Sequence, residues 1–278
     1  MKRSRSERWK LAIYFILRVL VVALMVRELA LKQWYNALLC LLTLVLFMVP
    51  SMVEHRLKID LPNTMEIIVL LFIFAAEILG ELGSFYIRVP HWDSMLHTVN
   101  GFLMAALGFA LVDIFNRSPR FQFNLSPAFL SFVAFCFSMT VGVVWEFFEY
   151  FSDRLLGLDM QKDSLVSTIV SSNLGTPEGS KTVISDISQV IITGTVDGKV
   201  TDTIITGGYL DIGLNDTMHD MLVNLVGAVL FSLIGYFYIK GRSKGTIANA
   251  FIPHVLTEEE IEENERHEKK KKHFIALK

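Results

Sequence analysis

The chain is short of charge and nearly devoid of cysteine. Charged residues make up 19% of its 278 positions, against roughly a quarter in an ordinary soluble domain. The 52% of residues that are apolar are blocked into long runs, which soluble amphipathic helices do not need. Together these features exclude an ordinary water-soluble fold. Cys40 and Cys136 both lie inside apolar stretches with no C-x-x-C neighbour, which excludes a disulfide framework and leaves both as small packing residues. The basic N-terminus precedes an apolar run but has no small-residue cleavage site, so the run is read as a retained helix rather than a signal peptide. No H-E-x-x-H, nucleophile elbow or phosphatase signature occurs, and neither clear inverted repeats nor paired broken helices are visible.

What is present is a series of stretches near the length of about 20 residues that a helix needs to cross a bilayer. They run from about Leu11 to Val26 (interrupted by Arg18), Trp34 to Val53, Thr64 to Phe85, Asp93 to Phe115, Ser126 to Tyr150 and Thr217 to Ile239. The runs are continuous rather than alternating, which excludes membrane strands. The expectation is an all-α polytopic membrane protein, a six-transmembrane-helix bundle in the cytoplasmic (inner) membrane, with no nucleic-acid partner.

Orientation follows from the Lys/Arg bias of short loops. Lys2, Arg3, Arg5, Arg8 and Lys10 precede the first helix, and alternation then places Arg56, Lys58, Arg117, Arg120, Lys240, Arg242, Lys244 and the Lys269 to Lys272 run on the same side. Both termini are therefore expected in the cytoplasm. The organisation reads as 1–152, five membrane helices; 153–215, an extracytoplasmic insert; 216–241, the sixth helix; and 242–278, a charged cytoplasmic tail, of which Thr257 to Lys278 reads as a solvated helix or disordered segment. Within the insert, Val183 to Thr195 and Lys199 to Thr206 read as strands joined at Asp197-Gly198, a tight-turn dipeptide. A β-hairpin cap over the bundle is expected, with a partner-docking loop as the other reading.

Ionisable residues inside membrane helices are costly and usually face an interior or a water-filled cavity. The third helix carries Glu77 and Glu81, the fourth opens with Asp93 and His97, and the fifth ends with Glu146, Glu149 and Asp153. The sixth opens with Asp216, His219, Asp220 and Asn224, of which Asp216, Asp220 and Asn224 form one stripe. The topology puts all of these acids at one level. Below His97 follow Gly101, Ala105 and Gly108, and below Asn224 follow Gly227 and Ala228; such small residues permit close helix contact. Converging carboxylates need compensation by protons, cations or a metal. A His among several acids suits a divalent ion such as zinc, manganese or iron, with His97, Asp93, Asp220 and Asp216 as candidate ligands. Plainer roles compete: Asp93 and Asp216 as helix N-caps, and Trp92 and Trp145 as interfacial aromatics.

The run Trp92-Asp93-Ser94-Met95-Leu96-His97 with Gly101, the run Trp145-Glu146-Phe147-Phe148-Glu149, and Asp216-Thr217-Met218-His219-Asp220 with Asn224 and Gly227 resemble the YjdF-like family of bacterial inner-membrane proteins. A more distant similarity is to VanZ-like proteins, through Asp93 with His97 and Asp220 with Asn224 and Gly227. The resemblance implies a multi-span membrane protein and supplies no assigned reaction. Three functions stay open on the residues. One is a metal-dependent enzyme with Glu146 or Glu149 as base, acting on a lipid or lipid-linked envelope precursor at the outer face of the bilayer. A second is a proton- or cation-binding transporter using Glu77. The third is a scaffold in which the polar cluster glues helices together.

Overall fold

The computed structural model describes residues 5–117, 125–175, 177, 179–241, 251–252, 254–256, 260 and 266. Lys2, Arg3, Arg120, Arg242, Lys244 and the Lys269 to Lys272 run, with most of the expected charged tail, lie outside these residues. The chain divides into two units, Met1–Gly142 with Val223–Lys278, and Val143–Leu222. Both divisions fall inside long helices.

In the first unit the first apolar run forms α1 (Arg5–Ala30). The second is broken into α2 (Trp34–Leu46) and α3 (Val49–Leu57). The break lies one turn before Pro50, whose ring cannot sit against the preceding turn of a helix and which offers no N–H to it. β1 (Ile59–Asp60) follows. The third run differs from the single α-helix expected. α4 (Asn63–Ile73) continues into a π-helix, Phe74–Leu82, with Gly83 N donating to Ile78 O at 2.8 Å. Ser84 then turns the chain in the left-handed conformation, φ 58°, before α5 (Phe85–Arg88). α6 (Trp92–Arg117) and α7 (Pro127–Leu156) close the N-terminal series, and α8 (Leu214–Lys240) is the last long helix among the described residues.

Among the described residues, five helices have the length and composition to cross a bilayer: Arg8–Ala30, Trp34–Leu57, Trp92–Asp113, Pro127–Leu156 and Leu214–Lys240. Their outward faces carry Phe15, Ile16, Leu38, Phe132 and Leu233 exposed, a surface that suits lipid rather than water. The inward faces form two apolar clusters. One joins Leu103, Ala106 and Phe109 of α6 to Leu130 and Ala134 of α7 and to Ala228 and Phe231 of α8. The other joins Leu17 and Val21 of α1 to Leu39, Cys40 and Phe47, and to Leu70 and Ile73 of α4.

Two of the charges on α1, Arg18 and Lys10, are met by local partners. The Arg18 guanidinium donates to the Tyr14 hydroxyl and stacks over that ring at 4.0 Å, a cation–π arrangement. Tyr14 in turn donates to Phe47 O at 3.1 Å. Lys10 Nζ donates to Glu66 Oε2 at 2.6 Å, tying α1 to α4. Residues that precede Thr257 pack within the same unit. β8 (His254–Val255) pairs antiparallel with β1, Ile252 is buried, and Phe251 meets Phe102 edge to face at 5.2 Å.

The second unit holds the ends of α7 and α8 and six short strands between them: β2 (Ser164–Val166), β3 (Ile169–Ser171), β4 (Thr182–Ile184), β5 (Gln189–Val196), β6 (Lys199–Thr206) and β7 (Tyr209–Asp211). They pair antiparallel as β2–β7, β3–β4 and β5–β6. The hairpin at Asp197-Gly198 is present, with β6 spanning the expected residues. The strand expected from Val183 to Thr195 is two strands, because Asp186 takes a left-handed φ of 54° and Val183 pairs with Val170.

Tyr14→Phe removes the hydroxyl that links Arg18 to the Phe47 carbonyl. It is expected to destabilise the chain by about 1–3 kcal/mol, the cost of leaving part-buried polar groups unpaired, measured as a lowered unfolding midpoint in detergent.

Candidate functional site

Three helices of the first unit meet around Asn224. A Cβ on Gly101 would press into the Asn224 carbonyl, 2.9 Å from its carbon, and one on Gly227 would press into the Thr98 carbonyl and lie 2.8 Å from Phe102 N. α6 and α8 therefore touch backbone to backbone, an approach only glycine permits. Gly142 of α7 faces the same residue, since a Cβ there would lie 2.7 Å from Asn224 Nδ2. Polar contacts reinforce the seam. Ser138 Oγ donates to Gly101 O at 2.7 Å, Asn100 Nδ2 donates to Asn224 Oδ1 at 3.3 Å, and Asn224 Nδ2 donates to Met139 Sδ at 3.6 Å. Asn224 is fully buried, and both ends of its amide are used.

These contacts fix direction as well as distance. Beyond Gly101 and Asn224, Phe102 packs on Phe231 with ring centroids 5.3 Å apart, and a Cβ on Gly235 would lie 2.8 Å from the Phe109 ring. The contacts advance together, so α6 and α8 run parallel in register. α7 runs the other way: Gly108 meets Phe137, while Gly142 meets Asn224.

One turn before Gly101 on α6 stands His97, buried, with Nε2 3.6 Å from Asp93 Oδ1. The first turn is completed by Thr98 Oγ1 donating to Ser94 O at 2.8 Å. The helix begins at Trp92, so Asp93 lies inside its first turn rather than at the N-cap. A carboxylate there is favoured by the helix dipole. Glu77 is half-buried and Glu81 exposed, both on the π-helix.

In the second unit, the expected acids separate by role. Asp153 accepts from Met160 N at 2.6 Å and Gln161 N at 2.9 Å, and Asp216 accepts from Lys162 N at 2.6 Å. Both hold the loop after α7, and Gln161 Nε2 donates to Thr217 Oγ1 across it. α8 begins at Leu214, so Asp216 is also within the first turn and not at the cap. At the surface of this loop, some loss of solvent, reinforced by Asp159 and Asp211, pushes the Asp163 carboxyl above the usual range. His219 is exposed. Glu146, Glu149 and Asp220 are buried, and Trp145 Nε1 donates to Glu149 Oε1 at 2.8 Å.

Sequence reasoning missed Asn100 and Ser138, which complete the Asn224 junction, and Asp113, an acid buried near the far end of α6. Asn100 was within reach of the pattern, standing three residues after His97. Ser138 was not, because nothing in the sequence pairs a hydroxyl of α7 with a carbonyl of α6.

Apolar helices of spanning length, packed through glycine around buried polar groups, define a multi-pass membrane protein. The family described as "Predicted membrane protein (DUF2238)" matches residues 10–241, and the chain belongs to that family. An uncharacterized protein of Thermotoga maritima is 24% identical over 107 residues, covering 38% of this chain and 53% of that one. The chain thus spans about half the length of the curated relative it matches. No solved structure matches.

Gly227→Ala places a methyl group against the Thr98 carbonyl and Phe102 N, both backbone atoms that cannot swing aside. The expected outcome is a loss of about 3 kcal/mol, at the upper end of overpacking costs, read from the unfolding midpoint. An unchanged midpoint would show that the two helices separate freely.

Proposed function

We propose that Asp93, His97 and Asp220 bind a divalent cation, and that the site acts on the headgroup of a lipid or lipid-linked envelope precursor with Glu146 as general base. The observation that carries this reading is the parallel register of α6 and α8. Gly101 lies against Asn224 and Phe109 against Gly235, and α8 is one unbroken helix from Leu214 to Lys240. In this reading Asp220, one turn before Asn224 on α8, joins Asp93 and His97, which precede Gly101 on α6, and Glu146 follows Gly142 by one turn on α7; the helical spacing along each helix supports it. One imidazole and two carboxylates form a donor set that suits zinc, manganese or iron, and three protein ligands leave positions for water or substrate. A bound ion offsets the cost of buried acids and lowers the pKa of a coordinated water.

In the same reading Asn63–Leu82 makes a sixth crossing, and both termini face the cytoplasm, as the Lys/Arg bias supports. Trp92 at the start of α6 and Trp145 beside Glu146 on α7 are aromatics of the kind that concentrate at membrane interfaces, which supports a headgroup as substrate. The YjdF-like and VanZ-like resemblance rests on the same residues, Asp93, His97, Asp220 and Asn224. The half-buried Glu77 on a π-helix, a distortion frequent at functional sites, favours cation passage as a second reading.

The test is elemental mass spectrometry of protein purified in mild detergent without added metal, beside His97→Ala and Asp220→Asn. The expected result is near one metal per chain in the parent and loss of it in both variants, each still folded with the helix content of the metal-stripped parent. A metal-free parent that takes up no added zinc, manganese or iron would sink the proposal. With metal present, headgroup release from phospholipid vesicles, abolished by Glu146→Gln, separates the enzyme from the cation-passage reading, in which Glu77→Gln blocks ion flux instead.

A further inference from the structure

We propose that two copies of this chain pair edge to edge through β5. The β5–β6 hairpin is eight residue pairs long, from Gln189↔Thr206 to Val196↔Lys199, without a bulge. Its turn residues Asp197 and Gly198 both take positive φ, 51° and 78°, the type I′ geometry of a two-residue hairpin. In such a turn the closing pair, Val196 and Lys199, is hydrogen-bonded, and bonding alternates from there. The backbone groups of Val190, Ile192 and Gly194 therefore face β6. Those of Gln189, Ile191, Thr193 and Thr195 face outward, where no strand pairs with them among the described residues.

Every residue from Ile191 to Ile204 is exposed, so neither face of the hairpin is packed on its own chain. A two-stranded ribbon in that condition is marginally stable by itself. Edges that stay unpaired are normally blunted by lysine, proline or a bulge. β5, Gln-Val-Ile-Ile-Thr-Gly-Thr-Val, has none of these and no charge at all. β6 does carry Lys199 and Asp202, and Asp202 stands at an outward position.

This asymmetry selects the occupant. Pairing β6 with its own copy about a two-fold axis would bring Asp202 close to Asp202 of the partner subunit, a like-charge contact that destabilises a sheet. Pairing β5 with itself meets no such cost, and a two-fold axis makes the contact antiparallel and self-complementary. The product is a four-stranded sheet with β5 and its copy at the centre. Apolar side chains then meet on both faces, Ile192 and Val196 on one and Ile191 with Val200 and Ile204 on the other. A lipid surface would need one wholly apolar face. Here Thr193, Thr195, Thr201 and Thr203 interrupt both.

The experiment is the mass of the full chain in lipid nanodiscs and in detergent, by light scattering. Ile192 lies at or diagonal to its copy whether the axis passes Ile192 or Thr193. Ile192→Lys and Ile192→Glu are therefore each expected to be monomeric, and their co-expressed mixture dimeric. Thr193→Pro, whose lost N–H faces outward, is expected to abolish the dimer while leaving the unfolding midpoint unchanged. A monomeric parent overturns the proposal, as does a dimer that survives both Thr193→Pro and the single charge variants. A mixture that fails to restore the dimer also overturns it.

Discussion

Close backbone contact at Asn224 is the constraint from which the arrangement of the long helices follows. Lipid is as apolar as a leucine side chain, so helices in a bilayer gain little from hiding apolar surface from one another. They associate by packing and by polar contacts, and both need short distances. Gly101, Gly142 and Gly227 remove the side chains that would keep α6, α7 and α8 apart at this level. Asn224 then fills the junction with a group whose oxygen and nitrogen both find partners. Had any of the three been larger, the amide would be separated from Asn100 and Met139, and a buried amide without partners costs several kcal/mol in an apolar medium.

The same economy governs the other polar groups of the first unit. Arg18 lies within a spanning helix and is met by the face and hydroxyl of Tyr14. Glu28 is buried and accepts from Asn36 Nδ2 at 3.1 Å, while Lys10 and Glu66 form an ion pair between helices. Each of these groups has been given a local answer. His97 beside Asp93 is a similar pair, yet it sits on the face that the glycine seam directs inward.

Much of this was legible in the residues. The small positions Gly101 and Gly227, at helical spacing below His97 and Asn224, were identifiable as contact faces, and the structure uses both as such. The Asp197-Gly198 turn was readable because few dipeptides tolerate two positive φ values in succession. That Asp153 and Asp216 accept loop N–H groups was not legible, because pattern alone does not show which backbone donors a carboxylate meets. The π-helix was also invisible. Its apolar content matches that of an α-helix, and the shift from i−4 to i−5 bonding is a response to packing, not a signature of any residue.

By itself the sequence determined the membrane character, the spans carried by the long helices, and the inward stripe on α6 and α8. These depend on local hydropathy and on the 3.6-residue period, which any stretch of chain expresses without reference to the remainder. Only the tertiary structure decided that α6 and α8 run parallel in one register, that α7 opposes them, and that Phe251 and Ile252 return to the bundle from beyond α8. Those outcomes depend on which backbones approach within reach of a carbonyl oxygen, a property of pairs of helices that no single segment contains.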